Sequence, residues 1–357
     1  MKLINKYILL SIFKSSFSTL FALVFIFAFF QFIDELDEIG EKKYTLEVAI
    51  KYILLLLPSI LNSLVVLSLL IGTVFSLGKL NSNKELQIFH TASISQRTLI
   101  GKTLIYPFLI SIILFTSLEF ITPQTLMFAN QVKDDALGKN SYQETNEAWF
   151  KKNNDIIFLS KAKNSKYYLK LFNIKDNDLL SYTQGTEAFF SGNQLVTNDS
   201  NKIEFKNNGK YVIPINSYSD SNLKVNLDFE EVASLTKNVK TMSFFELLKI
   251  ITPAHHSQSN RNEIILEIFS RVIRPLTLIG MILLAIPYIL NIERNISIGQ
   301  RVFLSIVIGT ITHLVTKVLS VVSLKFDSMI LVGPILPTLI LILAGILILK
   351  IKTKAKV

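Results

Sequence analysis

Basic side chains lie in and beside the apolar segments of this chain, where they could bind anionic groups. His313 and Lys317 are four residues apart, so a helix places both on one face. Arg271 and Arg274 are three apart where another apolar segment begins. Lys317 would lie roughly 24 Å along its helix from Arg301. If these segments cross a membrane, we expect the four side chains at one level in the outer leaflet, contacting lipid headgroup phosphates.

The same four basic side chains could have a structural role instead of contacting lipid. Charged groups at membrane depth are costly. They can instead extend to the aqueous interface or pair with the carboxylates of Glu119, Glu267 or Asp327. The sequence leaves both interpretations open.

A second candidate is the segment 84–99, KELQIFHTASISQRTL, in which Leu86, Phe89 and Ile94 are interspersed with polar residues. This pattern is typical of a short amphipathic helix. Such a helix could dock into a groove on a soluble partner or rest among the lipid headgroups.

Other chemistries find little support in the sequence. The segment 72–80, GTVFSLGKL, has neither the glycine spacing nor the Ser or Thr of a phosphate-binding loop. ATP-driven transport would therefore need a second chain. The chain has no cysteine, and two of its four histidines, His255 and His256, are adjacent, so we predict no metal site. We also predict no cofactor and no catalytic residues in this chain.

Six apolar segments position these residues. Half of the 357 residues are hydrophobic, and a helix needs about 20 apolar residues to cross a bilayer. The predicted spans are 15–36, 50–78, 101–122, 271–290, 301–323 and 330–349. The first has no small-residue cleavage site after it, so we expect it to be retained. Lysines and arginines cluster on one side of the spans, which predicts that both termini are cytoplasmic. The net charge of +10 belongs to these flanks, so we expect no nucleic-acid partner.

The insertion between the third and fourth spans is predicted to be an extracytoplasmic β domain. Short alternating runs separated by polar turns indicate a sandwich or open barrel. The predicted domains are 1–122 with three spans, 123–262 with the β domain, and 263–357 with three more spans. Trp149, the only tryptophan, is expected to anchor the core or edge of the β domain. The predicted strands are 155–163, 166–174, 202–206, 211–215 and 223–229.

This order of parts resembles the lipopolysaccharide-export permeases LptF and LptG, and LptG more than LptF. Segments that carry the resemblance are FFQFIDELDEIG (29–40), GKLNSNKELQIFHTASIS (78–95), EFITPQ (119–124), WFKKNNDIIFLSKA (149–162), RPL (274–276), GQR (299–301) and GPILP (333–337).

The resemblance implies a permease subunit of an ABC transporter in the bacterial inner membrane. Such a subunit extracts lipopolysaccharide and passes it along a β-jellyroll to a periplasmic bridge. Its partners would be an LptF-like sister permease, an LptB-like ATPase dimer that hydrolyses the ATP, and an LptC-like bridge protein. Spans one and five would form lateral gates. Residues implied in coupling to the ATPase are Glu85, Leu86, Phe89, His90 and Ser93.

The end of span one is acidic here, where relatives often place basic residues near lipid phosphates. This departure moves the expected phosphate contacts from span one toward Arg271, Arg274 and Lys317.

Three alternatives remain at this point. One is a lipoprotein-release or other lipid-efflux ABC permease, although those place their large domain after the first helix. The others are a membrane-embedded lipid-modifying enzyme and a structural assembly protein that uses the β domain for docking.

Overall fold

The structure is a computed structural model of the full chain. It describes residues 2–91, 96–138, 147–152, 154–161, 167–175, 178–191, 194–197, 199–207, 212–220, 223–225, 239–251, 258–289, 297–326 and 329–354.

Six helices within these residues are long and apolar enough to cross a membrane, which confirms the six predicted spans. They are longer than predicted, because each continues beyond its most apolar stretch. The third spanning helix has 42 residues, about 63 Å at 1.5 Å per residue, against a bilayer core of about 30 Å. The six are α1 (Lys2–Leu36), α2 (Leu46–Ser82), α4 (Gln96–Leu137), α6 (Gln258–Ile289), α7 (Ile298–Ser323) and α8 (Val332–Lys354). Two short helices are α3 (Glu85–Thr91) and α5 (Phe244–Ile250).

Helices α1 and α2 pack closely because small residues line their contact. A Cβ atom at Gly72 would lie 2.5 Å from the backbone N and the Oγ of Ser16, and closer still to its Cα. The hydroxyls of Ser11 and Ser76 share a hydrogen bond of 2.8 Å across the same contact. Small residues let helix backbones approach where no water remains to be expelled from between them.

One apolar core joins five helices of the membrane region. It contains buried residues of α1, α2, α3, α4 and α6, among them Ile8, Leu70, Leu86, Leu99 and Ile282. Helix α7 packs on α2 and on α8. The side-chain hydroxyls of Thr277 and Thr338 are hydrogen bonded at 2.8 Å between α6 and α8.

The insertion between the third and fourth spans is an antiparallel β-sheet, as predicted. Its strands are β1 (Glu147–Lys152), β2 (Asp155–Lys161), β3 (Tyr167–Lys175), β4 (Asp178–Ser191), β5 (Gln194–Thr197), β6 (Ser200–Asn207), β7 (Val212–Asp220) and β8 (Leu223–Val225). Strand β4 pairs with β3 along one edge and with β5 and β6 along the other. Strand β8 pairs with β5, and β7 with β6. Strands β1 to β4 therefore form a meander, whereas β6 pairs back to β4 and β8 to β5.

Five of these strands correspond to predicted ones, namely β2, β3, β6, β7 and β8, whereas β1, β4 and β5 were not predicted. Residues 162–163, 166, 211 and 226–229 of the predicted strands lie outside the described residues. The buried side of the sheet carries Ile157, Leu159, Tyr167, Leu169, Ala188 and Leu195.

The chain divides into two compact units. The first comprises Met1–Ile39, Thr45–Ala129 and Ile265–Val357, and the second Gly40–Tyr44 and Asn130–Ile264. The predicted domain ends at 122 and 262 lie a few residues before these divisions. Within the second unit, the backbone N–H of Lys43 donates to the carbonyl of Ala136 at 3.1 Å. The Nζ atom of Lys133 lies 5.9 Å from the Tyr44 ring centroid.

Candidate functional site

The segment predicted to contact a partner begins at a tight corner after α2. Asn83 closes that helix, its backbone N–H donating to the carbonyl of Lys79 at 3.0 Å. Lys84 then adopts a φ of +60°, a backbone conformation that costs a non-glycine residue energy. Helix α3 starts at the next residue. The corner therefore fixes the direction in which α3 leaves α2.

Glu85 ties α3 to two other elements. Its carboxylate accepts a hydrogen bond of 2.8 Å from the Tyr7 hydroxyl of α1 and one of 3.0 Å from the Asn83 side-chain amide. Hydrogen bonds to a charged acceptor are stronger than those between neutral groups. Glu85 thus connects the start of α3 to α1 and to the end of α2.

The remaining residues of the predicted coupling set divide between two sides of α3. Leu86 is 2% exposed and belongs to the apolar core, and Phe89 packs partly against that core. Ile88, by contrast, is 61% exposed. His90 lies in the helix, and nothing is described of its side chain, while Ser93 lies outside the described residues. Helix α3 is therefore anchored by Leu86 and offers Ile88 outward.

Arg271, one of the four predicted headgroup contacts, is engaged in an internal ion-pair cluster. It pairs with the carboxylate of Glu119 on α4 and, at 2.9 Å, with that of Glu267 one turn earlier on α6. All three side chains are mostly buried. The pairing considered as an alternative from the sequence is thus present for Arg271, and it joins α4 to α6. The third carboxylate of that alternative, Asp327, lies outside the described residues.

The other three predicted contacts lie near this cluster. Arg274 is half-buried and interacts electrostatically with Glu119, Glu267 and Arg271. His313 and Lys317 are exposed on α7. The His313 ring interacts electrostatically with both Lys317 and Arg274. The structure therefore brings all four predicted residues into one electrostatic neighbourhood. Among the described residues named here, the cations Arg271, Arg274 and Lys317 outnumber the carboxylates of Glu119 and Glu267.

The sequence of this chain was compared with those of known protein families. The model of the family "Lipopolysaccharide export system permease LptF/LptG" matches residues 6–351. That match includes all six spanning helices, the β-sheet and both candidate sites.

The chain belongs to the LptF/LptG permease family.

Similar curated members of the LptF/LptG family carry the LptG name. The lipopolysaccharide export system permease protein LptG of Haemophilus influenzae is 22% identical over 346 residues, which is 95% of this chain and 96% of that protein. LptG of Escherichia coli strain K12 is 22% identical over 342 residues, 94% of each chain. The similarity thus extends over the whole architecture.

One further residue of this LptF/LptG chain is notable, and it was not among the site residues predicted from the sequence. Arg301, on the first turn of α7, is 5% exposed. Its Cδ lies 3.5 Å from where a Cβ of Gly78 on α2 would be. Its Nε and Nη1 are buried and make no hydrogen bond with the described residues. The segments GKL and GQR, both part of the family resemblance, therefore meet in space, which was the signal available in the sequence.

Proposed function

We propose that this protein is a permease subunit that exports lipopolysaccharide from the inner membrane and leaves ATP hydrolysis to a partner. The observation that carries the proposal is the end-to-end family match. The described part of the chain supports it with six helices apolar enough to cross a membrane and a β-sheet inserted after the third of them. The proposed placement has both termini in the cytoplasm and the β-sheet in the periplasm, as the distribution of lysines and arginines favours.

Energy from the ATPase would enter through α3. Ile88 on its exposed side is suited to a groove on an LptB-like ATPase. Leu86 and Glu85 hold the helix to the membrane core and to α1. A displacement of α3 would therefore move α1 and α2 with it, as a rigid group rather than as a single loop. An LptF-like sister permease would complete the cavity that this movement closes.

The cluster formed by Arg271, Arg274, His313 and Lys317 would bind the anionic headgroup of the lipid. Arg271 is already held by Glu119 and Glu267, so in this proposal it positions the cluster. The exposed Lys317 and His313, with Arg274 beside them, supply the contact. A lysine on the membrane surface attracts lipid phosphates by charge and can donate several hydrogen bonds.

The β-sheet would receive the lipid and pass it to an LptC-like bridge protein. Its apolar side carries Ile157, Leu159 and Leu169, with Leu171 and Val225 partly exposed against them. Leu171 is therefore a suitable position at which to detect a passing acyl chain.

The test is ATP-dependent cross-linking. The chain would be reconstituted with its sister permease and ATPase in vesicles containing lipopolysaccharide, with a photoreactive amino acid at Leu171. We expect adducts with lipopolysaccharide after ATP addition and few with a non-hydrolysable analogue. The exposed Asp199 is the control position. Adducts that form equally without ATP, or equally at both positions, would contradict the proposal.

A further inference from the structure

Four aromatic rings form a continuous row across strands β1 to β4. The rings of Trp149 and Phe158 lie 4.7 Å apart between centroids, those of Trp149 and Phe172 5.9 Å apart, and those of Phe172 and Tyr182 5.0 Å apart. Successive side chains of a strand point to opposite faces. Because Ile157 belongs to the apolar core, Phe158 and its partners lie on the other face of the sheet. The aromatic row is therefore separate from the apolar side.

Trp149 lies between Phe158 and Phe172 in this row and is partly exposed. The indole is nearly parallel to the Phe172 ring, at 22°, yet 45% of the residue is exposed. Its strand β1 pairs with β2 and with no other described strand, so it forms an edge of the sheet. An indole that is held by neighbouring rings and still partly exposed is a platform on which a flat ligand can stack.

Polar groups beside the row determine what kind of ligand would stack there. The Nζ atom of Lys170 lies 5.4 Å from the Phe158 ring centroid. Gln184 stands directly across from Lys170 on β4 and accepts a hydrogen bond of 3.0 Å from the Tyr182 hydroxyl. An acyl chain lying here would remove water from the ammonium group without replacing its hydrogen bonds. Sugar hydroxyls and phosphates would replace them.

We propose that the aromatic row of Trp149, Phe158, Phe172 and Tyr182 binds sugar rings of the exported lipopolysaccharide, with Lys170 contacting a hydroxyl or phosphate. The inference rests on the proposed function, which makes a glycolipid the substrate. The C–H groups on one side of a pyranose carry partial positive charge and are attracted to the electron-rich face of an aromatic ring.

This arrangement divides an amphipathic substrate between the two faces of one sheet. Acyl chains would occupy the apolar side and the glycan the aromatic side. Since Trp149 is on the edge strand, a glycan passing around that edge has to cross only about 5 Å, the spacing between strands, to reach the next ring.

The experiment uses the fluorescence of Trp149, the only tryptophan in the chain. The full-length protein in lipid nanodiscs would be titrated with lipid-free oligosaccharide released from lipopolysaccharide by mild acid. Lipid A and inorganic phosphate are titrated separately. We expect a saturable change in Trp149 emission with the oligosaccharide and none with phosphate. An unchanged emission with the oligosaccharide, or the same change with phosphate alone, would overturn the proposal.

Two substitutions separate stacking from simple packing. Trp149→Tyr keeps an aromatic face, whereas Trp149→Leu keeps only apolar bulk. By calorimetric titration we expect Trp149→Leu to bind the oligosaccharide about tenfold more weakly than Trp149→Tyr, as loss of an aromatic contact predicts. Phe245→Ala is the control, because Phe245 is exposed in α5, outside the row. Equal affinities of the two Trp149 variants would refute the stacking role.

The failure of this inference is distinguishable from failure of the proposed function. If ATP-dependent cross-linking at Leu171 persists while the oligosaccharide does not bind, export stands and the aromatic row is only a packing feature. If that cross-linking also fails, the proposed function falls with it.

Discussion

The contact between α1 and α2 predicts that adding a single methyl group will destabilise the helical unit. In Gly72→Ala the new Cβ would lie 2.5 Å from Ser16 N and Oγ, whereas carbon atoms pack at about 3.5–4.0 Å. Because two of the obstructing atoms are backbone, no rotamer change relieves the overlap. Helix α1 must therefore move away from α2 by roughly 1 Å. Overpacking of this kind costs about 1–3 kcal/mol.

Gly101→Ala is the matched control for this prediction. Gly101 is also helical, but nothing lies within 4 Å of its Cβ position. It should be neutral or stabilising by up to about 1 kcal/mol, the helix-propensity difference between Ala and Gly. The measurement is the free energy of unfolding of each purified variant in mixed micelles, followed by circular dichroism. If Gly72→Ala is as stable as Gly101→Ala, the close contact does not hold α1 against α2 and the reasoning is wrong.

Three further predictions concern the candidate site. Glu85→Gln should reduce co-purification of the ATPase. Tyr7→Phe should reduce co-purification less, because this variant keeps the Glu85 carboxylate. Equal losses would mean that Glu85 acts only by anchoring α3. Glu119→Gln removes one of the carboxylates that pair with Arg271 and should lower the free energy of unfolding by about 1–3 kcal/mol. An unchanged value in chemical unfolding would refute the bridging role. Lys317→Gln should weaken lipopolysaccharide binding more at low than at high salt, because salt screens exposed charges; binding that is unaltered at both ionic strengths would exclude Lys317 as a contact.

The sequence predicted the features that depend on local pattern. Six spans followed from apolar length, and Glu267 was identifiable as a neighbour of Arg271 because four residues are one helical turn. The segment 84–99 was predicted to contain a helix, and α3 occupies its first half.

Features that depend on packing were not predictable in this way. Strand β4 was missed because its inward positions are occupied by Ser181, Thr183, Gly185 and Ala188, which are buried yet small, so no apolar alternation is visible. The hydrogen bond from Tyr7 to Glu85 joins residues 78 positions apart, and no local pattern reveals it. The same holds for the burial of Arg301 against Gly78, although both belong to recognisable segments.

The meander implies an order of assembly for this chain. From β1 to β4 each strand pairs with the strand made just before it, so this part of the sheet can form strand by strand with short loops to close. The helical unit cannot, since α2 packs on α7 and the entire sheet lies between them in sequence. During synthesis α2 would therefore lie in the membrane without its contact to α7 while the sheet folds. A chain stopped just after β8 should therefore contain a protease-resistant sheet attached to α1, α2 and α4, with α1 packed on α2 but without the later helix that α2 also contacts.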